Sequence, residues 1–499
     1  MVKINETTQK TERPVKVLQF GEGNFLRAFI DWQIDIANEK TDFNGNIVIA
    51  QPLAKGLSGM INDQNGVYTT VLRGIQNGEM VKEYRKITSV DKCINVYEDY
   101  SQYIEYAECE SLRFIFSNTT EAGISYAEGC SLTDQPPVSF PAKVTQFLYK
   151  RFTAFSGALD KGIVFIPCEL IEANGANLKK LILRYAEEWN LEESFVSWVN
   201  EACIFCNSLV DRIVTGYPRA TADEMCEELG YKDNLLDTAE LFHLFVIECD
   251  KENIETLKKE LPLEQAGLNV IWTDDMSFYR TRKVRILNGA HTLFVPTTFL
   301  FGLNSVDESL KDETIYSFIK KGLFEEIIPS LDGDKEALKD YAAAVLERFA
   351  NPYLAHQLLA ISLNSVSKFK VRDLPSVLAY YDKFNAVPKT LAYSLAGLIT
   401  FYKGSGVANR EMTGSRNGEA YPIKDDEKVL SSFETLYKEN DCTTESGRDV
   451  IVSNVLQRTD WWGLDLTTLE GFKDAVLSSY NSIAEEGIVS SLKSFIAEN

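Results

Sequence analysis

The sequence is poor in the features that mark membrane, nucleic-acid-binding and metal-binding proteins. It has three histidines in 499 residues, 51 basic against 73 acidic side chains, and a net charge of −22. This charge argues against nucleic acid and anionic membranes as partners. No apolar run approaches the roughly 18 residues that span a membrane, and residues 1–14 resemble neither a signal peptide nor a transit peptide. We therefore expect a cytoplasmic protein, in which an anionic substrate would need a local basic pocket.

Regular cysteine spacing is also missing. The nine cysteines fit the reduced thiols of a cytosolic protein. Only Cys203-Ile-Phe-Cys206 forms a C-x-x-C motif, and it lies in an apolar segment typical of a strand. The histidines that could join it are His243, His291 and His356. Zinc binding or redox chemistry is one interpretation of the motif, and a pair of buried, inert thiols is the favoured one.

The first 280 residues alternate between β-rich apolar runs and amphipathic patterns such as residues 176–189. This alternation indicates βαβ units and a mainly parallel sheet. The length of the chain suffices for two or three domains. The predicted strands are Val15–Phe20, Ile47–Ala50, Arg113–Ser117, Gly162–Pro167, Ala202–Cys206, Phe242–Glu248 and Leu268–Trp272.

After residue 280 the strand patterns fade and helical patterns follow one another, which is typical of an all-α domain. Residues 404–425 are rich in Gly, Ser, Asn and Arg and are expected to form a long surface loop. The predicted helices are Glu313–Phe324, Lys335–Phe349, Tyr353–Leu363, Leu374–Phe384, Lys389–Tyr402, Glu427–Lys438, Arg448–Leu456 and Leu469–Ser482.

A glycine turn follows the first predicted strand, Val15–Phe20, and leads into a helical pattern. A strand, a glycine turn and a helix start present backbone N–H groups and a positive helix end to a pyrophosphate. Gly21 would permit the tight turn and Gly23 the close approach of the phosphates, whereas Leu26 replaces the usual third glycine. An ordinary strand-to-helix turn is the alternative. The residues expected to contact a dinucleotide here are Phe20, Gly21, Gly23, Asn24, Phe25, Leu26 and Arg27.

Two later strand ends should complete the cofactor site. The strand Ile47–Ala50 ends where NAD-binding folds usually carry an acidic residue for the adenosine ribose, but this chain has Gln51. A glutamine can bond the ribose but cannot repel a phosphate, so NAD is favoured and NADP stays an alternative. Asn118 and Glu121 follow the next strand at its carboxyl end, where ligands bind in such sheets. For Glu121 a loop cap is the competing interpretation.

A lysine, an asparagine and a histidine occur together at the junction of the two halves. Lys283, Asn288 and His291 are spaced by five and three residues, which on a helix brings them to roughly one side. An ammonium beside an amide donor and a titratable ring suits proton transfer to a carbonyl oxygen. The alternatives are a solvated helix face for the lysine, a turn at Asn288-Gly289, and a satisfied core histidine.

These patterns predict an α/β plus all-α protein. Residues 1–280 would form a Rossmann-like NAD-binding domain with a mainly parallel sheet, and residues 281–499 a mainly α-helical substrate and catalytic domain. Because the lysine motif falls at the junction, we expect the active site in the cleft between the domains.

The chain resembles the mannitol dehydrogenase family of long-chain, metal-independent polyol dehydrogenases over nearly its whole length. The motifs that carry the resemblance are Gly21-x-Gly23-x-Phe25-x-Arg27, Asn207-Ser-Leu-Val-Asp211-Arg212-Ile213 and Lys283-x4-Asn288-Gly-x-His291. Further segments are similar to the branch of the family that reduces tagaturonate to altronate with NAD. These segments are Ser117-Asn-Thr-Thr-Glu-Ala-Gly123, Pro167-Cys-Glu-Leu-Ile171 with Asn174-Gly175, and Ser365-Val-Ser-Lys368-Phe-Lys370-Val-Arg372. Fructuronate reductases and mannitol or mannitol-phosphate dehydrogenases are the alternatives within the family.

The resemblance implies a role for each residue of the lysine motif. Lys283 would be the general acid in reduction and the general base in oxidation. Asn207 and Asn288 would donate hydrogen bonds to the oxygen that gains negative charge, and His291 would hold the substrate. No metal is needed, because an ammonium and two amides polarise the carbonyl.

The lysine needs a lowered pKa to act as a base. A lysine near its ordinary pKa of roughly 10.4 is a poor base at neutral pH. Partial burial or neighbouring cations such as Arg282 and Arg285 would lower that pKa.

A keto-uronate carries a carboxylate, which requires a cation in the substrate pocket. Lys368 and Arg372 follow a helical stretch that includes His356, and a guanidinium pairs well with a carboxylate. We expect Lys368 or Arg372 to bind the acid end of the substrate, with an exposed basic strip as the alternative. Two other classes of protein are a cofactor-binding regulator, which would not need Lys283 with Asn288, and a zinc alcohol dehydrogenase built on Cys203 and Cys206.

Overall fold

The computed structural model describes residues 1–120, 122–354 and 356–498, and the chain divides into two compact units, Met1–Ser277 and Phe278–Asn499. The first unit is built on a parallel sheet of six strands in the order β3-β2-β1-β4-β5-β6. The strands are β1 Val15–Phe20, β2 Asn46–Gln51, β3 Val90–Asn95, β4 Phe114–Ser117, β5 Val164–Pro167 and β6 Ile204–Phe205. This order places a topological switch point between β1 and β4, where ligands bind in such sheets.

Hydrophobic cores cover both faces of this sheet. Neighbouring residues of one strand, such as Val17 and Leu18, point into different cores. Both faces of each strand are therefore buried, which is why these strands read as continuous apolar runs in the sequence. The helical segments of this unit are Ile4–Thr7, Asn24–Leu26, Arg27–Asp31 (π), Trp32–Lys40, Ser58–Asp63, Tyr100–Glu105, Tyr106–Glu108 (3₁₀), Phe140–Ala154, Leu159–Lys161 (3₁₀), Asn174–Glu188, Glu193–Ala202, Ala222–Leu229 and Lys251–Glu260.

Smaller sheets complete the first unit. The strands β7 Asn207–Asp211, β8 Leu244–Glu248 and β9 Val270–Thr273 form a sheet in which β7 runs antiparallel to β8 and β9 parallel to it. The strands of the other two sheets are Val214–Gly216, Asp237–Ala239, Tyr68–Gln76 and Glu79–Ile87 in one, and Val2–Lys3 with Tyr231–Lys232 in the other. The hairpin of Tyr68–Gln76 and Glu79–Ile87 was not predicted, because its second strand is mostly polar and only one of its residues is buried. The sequence signal for it is Asn77-Gly78, a typical hairpin turn.

The second unit is mainly helical, as the sequence predicts. Its central helix, Gly289–Phe301, is buried over most of its length and packs against Lys389–Phe401. A Cβ on Gly397 would lie 2.1 Å from the Thr297 hydroxyl oxygen, so glycine is needed for the two helices to approach this closely. The helical segments are Ser277–Arg282 (which begins at the last residue of the first unit), Lys283–Asn288 (π), Gly289–Phe301, Val306–Lys311, Glu313–Lys320, Lys321–Ile327 (π), Ile328–Ser330, Lys335–Phe349, Leu358–Ile361, Ser365–Arg372, Leu374–Phe384, Lys389–Phe401, Glu427–Glu439, Glu445–Leu456, Thr459–Trp462, Leu466–Thr468 (3₁₀), Phe472–Glu486 and Ile488–Glu498.

Two sequence predictions for this unit are wrong. The segment expected to be a long loop forms a three-stranded antiparallel sheet of Gly404–Ala408, Glu411–Arg416 and Glu419–Lys424. Its buried residues alternate along the strands, as in Met412 and Gly414, but few of them are apolar enough to give a strand pattern. The helix predicted at residues 353–363 is reduced to Leu358–Ile361, preceded by a turn after Asn351-Pro352.

Candidate active site

The glycine turn after β1 has the strained geometry that the sequence predicts. Gly21 has φ +121°, and a Cβ there would lie 3.0 Å from the Asn118 carbonyl oxygen and 3.3 Å from Leu26 Cδ1. The Gly21 amide donates to the Ala50 carbonyl, and the side chain of Gln19 donates to the Gly21 carbonyl. A side chain at Gly21 is thus disfavoured both by the backbone conformation and by the carbonyl of Asn118, which follows β4.

Gly23 differs from Gly21 in both its backbone conformation and its surroundings. Its φ is −68° and no described atom lies within 4 Å of the position of a Cβ, so the protein itself would tolerate a side chain there. Gly23 is the N-cap of the helical run that begins at Asn24, and it lines a cavity of about 490 Å³. The space in front of Gly23 can therefore admit an anionic group to the free N–H groups of a helix start.

These two glycines provide a matched pair of variants. Gly21→Ala is expected to lower the free energy of unfolding by about 1–3 kcal/mol, because alanine is strained at this φ. Gly23→Ala should leave that free energy within about 0.5 kcal/mol and weaken NADH binding, since its methyl group occupies the cavity. Urea unfolding and NADH fluorescence titration measure the two effects. Equal loss of stability in both variants would contradict this division of roles.

The cavity in front of the turn joins the carboxyl ends of β1 and β4. Its wall is formed by the glycine turn, the segment after β2, the segment after β4 and the start of Phe140–Ala154. Lys143 contributes an amine to this wall; burial lowers its pKa to about 8, and it donates to the Val138 carbonyl at 3.0 Å. The turn, the cavity and the helix start have the form of a cradle for a dinucleotide, and the residues present fit that group.

Arg27 and Gln51 lie outside this cavity, against expectation. The Arg27 side chain is 1% exposed, donates to the Leu235 carbonyl at 2.8 Å and lies 3.6 Å from the Asp237 carboxylate. Gln51 is fully buried, and its amide donates to the Leu53 carbonyl and accepts from the Ser58 amide. Both side chains make these contacts within the chain, and neither lines the cavity.

The other expected contacts on this turn are divided between the core and the cavity. Phe20 and Leu26 are buried, and the half-buried Phe25 stacks on Phe29. Asn24 accepts from the Arg27 guanidinium at 2.7 Å. These four side chains shape the turn, and the residues of the turn that line the cavity are Gly21, Glu22 and Gly23.

Asn118 lies at the cavity, as expected. Its amide donates to the Cys168 carbonyl at 2.9 Å, which joins the ends of β4 and β5. The buried Glu169 reinforces this junction by accepting from the Ser117 hydroxyl and from both donors of Thr119, and burial raises the pKa of its carboxyl. Glu121 lies outside the described residues.

Asn207 begins β7 and is held by two contacts within the first unit. Its amide nitrogen donates to Glu248 at 2.7 Å, and its oxygen accepts from the Ala176 amide at 3.1 Å. The carboxylate of Glu248 also accepts from the Met276 amide. The orientation of the Asn207 amide is therefore fixed, and among the described residues only Glu248 accepts from its amide nitrogen.

The lysine motif of the second unit lies on a π-helix. Lys283–Asn288 is π-helical and continues directly into Gly289–Phe301. In an α-helix, residues five apart differ by about 140° around the axis, whereas the wider π-turn makes this angle smaller. Lys283 and Asn288 thus share a side of the helix more closely than the sequence predicts, and Asn288-Gly289 is helical and not a turn.

A buried carboxylate lies against this helix. Asp373 is fully buried, and neither of its oxygens receives a hydrogen bond from the described residues. A Cβ on Gly289 would lie 2.9 Å from Asp373 Oδ1. Burial raises the pKa of Asp373, and the charges of Arg285 and Arg372 oppose this rise. Arg285 itself is buried and donates to the Ser376 hydroxyl.

His291 is the centre of a group of cationic side chains. It is 8% exposed and stacks on Phe349 with ring centroids 4.2 Å apart. Burial lowers its pKa well below the ordinary value, and the charges of His356, Arg372, Arg348 and Lys368 lower it further. The His291 ring is consequently neutral near neutral pH and able both to donate and to accept a hydrogen bond.

Lys368 and Arg372, the expected substrate-binding cations, are both near His291. Burial and the charge of Arg372 lower the pKa of Lys368 to about 8. Lys368 Nζ donates to the Ile361 carbonyl at 2.7 Å, and the Arg372 guanidinium lies 3.5 Å from the Asn288 carbonyl oxygen. The structure thus brings Lys368 and Arg372 close enough to His291 for their charges to lower its pKa, and it places Arg372 beside the Asn288 backbone. Arg348 and His356 also lower the pKa of His291. The sequence could not predict this effect, because the two residues come from different segments.

Cys203 and Cys206 are buried free thiols. Burial raises the pKa of Cys203 to about 12, which fits the inert-thiol interpretation. Within residues 1–120, 122–354 and 356–498, no three or more His, Cys, Asp or Glu side chains lie together in a way that could hold a metal ion. Over the same residues, no helix is long and apolar enough to cross a membrane.

The parallel sheet order, the switch point and the glycine turn define a dinucleotide-binding Rossmann domain followed by a helical domain. The family models of the mannitol dehydrogenase Rossmann domain and of the mannitol dehydrogenase C-terminal domain match residues 15–261 and 275–484. The chain therefore belongs to the mannitol dehydrogenase family, and it is an oxidoreductase that acts on CH–OH groups with a nicotinamide cofactor.

Relatives and solved structures agree with this assignment. The chain is 46% identical over 476 residues to altronate oxidoreductases of Shigella flexneri and of Escherichia coli O139:H28, covering 95% of each chain. It is 20% identical to a Pseudomonas fluorescens mannitol 2-dehydrogenase in a ternary complex with NAD and D-mannitol, with a TM-score of 0.66 and coverage of 98% and 95%. A substrate-free D-sorbitol dehydrogenase is also 20% identical, with a TM-score of 0.77 and coverage of 99% and 100%. The two solved structures confirm the fold.

Proposed function

We propose that this enzyme reduces D-tagaturonate to D-altronate with NADH, without a metal, and catalyses the reverse oxidation. The observation that carries the proposal is the group of cations around His291. The chain as a whole is strongly acidic, yet Lys368, Arg372 and Arg348 all contribute positive charge at this one place. Such a local field favours a carboxylate, which a keto-uronate has and a neutral polyol lacks. The relatives named altronate oxidoreductase support the same substrate class.

In the proposed reaction the cofactor supplies the hydride, which adds to the substrate's carbonyl carbon. The Lys283 ammonium gives a proton to the carbonyl oxygen as this oxygen gains the electron pair of the C=O bond. The products are the alcohol, the oxidised cofactor and a neutral lysine. In the oxidation Lys283 takes the hydroxyl proton back, so the same residue is acid in one direction and base in the other.

Two amides and an imidazole would position the reacting oxygen. The remaining N–H of Asn207 and the amide of Asn288 donate to the oxygen, which stabilises its developing negative charge. The neutral ring of His291 bonds a neighbouring hydroxyl and fixes the orientation of the substrate. The Arg372 guanidinium, close to the Asn288 backbone, binds the carboxylate. These groups polarise the carbonyl without a Lewis acid.

The experiment is a comparison of kcat/KM for tagaturonate, fructuronate and fructose, with NADH oxidation as the signal. We expect the highest value with tagaturonate and the lowest with neutral fructose, because the cationic group favours a carboxylate. A higher value with fructuronate would reassign the enzyme to that branch of the family while keeping the carboxylate site. A preference for fructose would contradict the proposal.

A further inference from the structure

The carboxylate that usually marks an NAD-binding Rossmann domain is missing from the end of β2. The residue there is Gln51, whose amide nitrogen donates to the Leu53 carbonyl at 2.7 Å and whose oxygen accepts from the Ser58 amide at 3.0 Å. Gln51 thus holds the segment after β2, and its neutral amide cannot repel a phosphate. A charge that distinguishes the two nicotinamide dinucleotides must therefore come from another residue.

Glu22, between the two glycines of the turn, reaches this position from β1. A Cβ on Gly56 would lie 2.0 Å from Glu22 Oε1 and 2.5 Å from Gln51 Oε1, so both side chains approach the same glycine. The Leu57 amide donates to the Glu22 carboxylate. The Glu22 carboxylate thus lies against the segment that follows β2, where an acidic side chain at the end of β2 would otherwise lie.

The surroundings of Glu22 fit a ribose site. Glu22 lines the same cavity as Gly21 and Gly23, together with Pro52 and Leu53 of the segment after β2. Glu22 also affects Cys93 of β3. Burial raises the pKa of the Cys93 thiol, and the negative charge of Glu22 raises it further. The carboxylate is therefore directed toward the β2 and β3 side of the turn, on a residue that lines the cavity.

We infer that Glu22 selects NAD over NADP. Its carboxylate accepts hydrogen bonds from the hydroxyls of the adenosine ribose and repels the phosphate that NADP carries on the 2′ oxygen. The glycine turn thus supplies both the phosphate cradle and the ribose acceptor, and the absence of a side chain at Gly56 leaves room for the carboxylate. This inference deepens the proposed function, since it rests on the dinucleotide site of that proposal.

The test is a fluorescence titration that measures the binding of NADH and of NADPH to the full chain in the absence of substrate. In the wild type NADH should bind more tightly than NADPH by a factor on the order of 100, because two like charges lie in contact range in the NADPH complex. Glu22→Gln keeps the size of the side chain and removes its charge. It should tighten NADPH binding and weaken NADH binding, so that the ratio of the two dissociation constants falls by at least roughly tenfold.

Two controls separate charge from structure. Glu22→Asp retains the charge and should keep the preference for NADH, whereas Glu187→Gln, at an exposed position of Asn174–Glu188, should change neither dissociation constant. An unchanged ratio in Glu22→Gln would overturn the inference and leave the proposed function intact. Wild-type protein that binds neither dinucleotide would instead remove the cofactor site on which both rest. Lys55 is an exposed cation in the segment after β2. Loss of the preference for NADH in Lys55→Met would overturn the assignment to Glu22.

Discussion

Lys283→Met is expected to lower kcat for keto-uronate reduction by a factor on the order of 10²–10⁴, which is the usual contribution of a general acid. Methionine keeps most of the length of the lysine side chain and favours a helix, so the π-helix of Lys283–Asn288 should remain. KM should change little, because the carboxylate site lies on other residues. Steady-state kinetics with NADH and saturating keto-uronate measure the loss.

A matched lysine variant shows whether the effect is specific. Lys339 is exposed on Lys335–Phe349 and pairs with Glu336, so Lys339→Met should retain wild-type kcat. NADH binding and the unfolding midpoint should be the same in both variants and the wild type. A wild-type kcat in Lys283→Met would show that another group gives the proton. A lost NADH affinity would show that the lysine acts on cofactor binding.

Arg372→Ala is expected to raise KM for a keto-uronate by roughly 10- to 100-fold with a smaller change in kcat, because a charged hydrogen bond to the carboxylate is lost. Burial lowers the pKa of Arg372, but the adjacent Asp373 opposes this effect and helps to keep the guanidinium charged. Arg372→Lys should give an intermediate KM, since an ammonium cannot bind a carboxylate with two parallel hydrogen bonds. Kinetics with tagaturonate and with fructose measure the difference.

The neutral ketose is the decisive control for this variant. If Arg372 binds the carboxylate, KM for fructose should not change. Lys370→Ala, on the same helix, should leave both substrates unaffected. Equal losses with tagaturonate and fructose would mean that Arg372 acts through the Asn288 carbonyl, which lies 3.5 Å from its guanidinium, and supports the helix more than the substrate.

Much of the fold could be predicted, because the local pattern and the tertiary environment agree. The strands β1, β2, β4 and β5 are buried on both faces, and their continuous apolar runs show this directly. Val90–Asn95 was missed because Asp91 and Lys92 interrupt its apolar run, although its other residues are mostly buried. The sheet at residues 404–424 was missed for the same reason, and its Asn417-Gly418 turn, with both φ values positive, was the signal that could have revealed it.

The candidate site could be predicted where its chemistry is local in sequence. The glycine turn and the lysine motif are short patterns whose geometry follows from a few consecutive residues. The role of Arg27 could not be predicted, because its partners Leu235 and Asp237 are far along the chain. Nor could the proposed ribose acceptor, since Glu22 meets the segment after β2 only in the folded chain.

The electrostatic environment of His291 was equally inaccessible to sequence. The residues that lower its pKa come from the helices Lys335–Phe349 and Ser365–Arg372 and from the segment between them. A sequence pattern shows charge along one segment, whereas this group forms only when several segments pack around one helix. For this reason the sequence alone is equally consistent with an exposed basic strip at Lys368 and Arg372.

The measurement that tests the central claim most directly is NADH oxidation by the chelator-dialysed enzyme with tagaturonate as the substrate, followed by identification of the product by NMR. The proposal predicts rapid oxidation of NADH, one altronate formed for each NADH consumed, and no recovery or gain of activity when divalent metal is added. An enzyme that is inactive after dialysis and restored by zinc would contradict the lysine mechanism. An enzyme that leaves tagaturonate unchanged while it reduces a neutral ketose would contradict the carboxylate site.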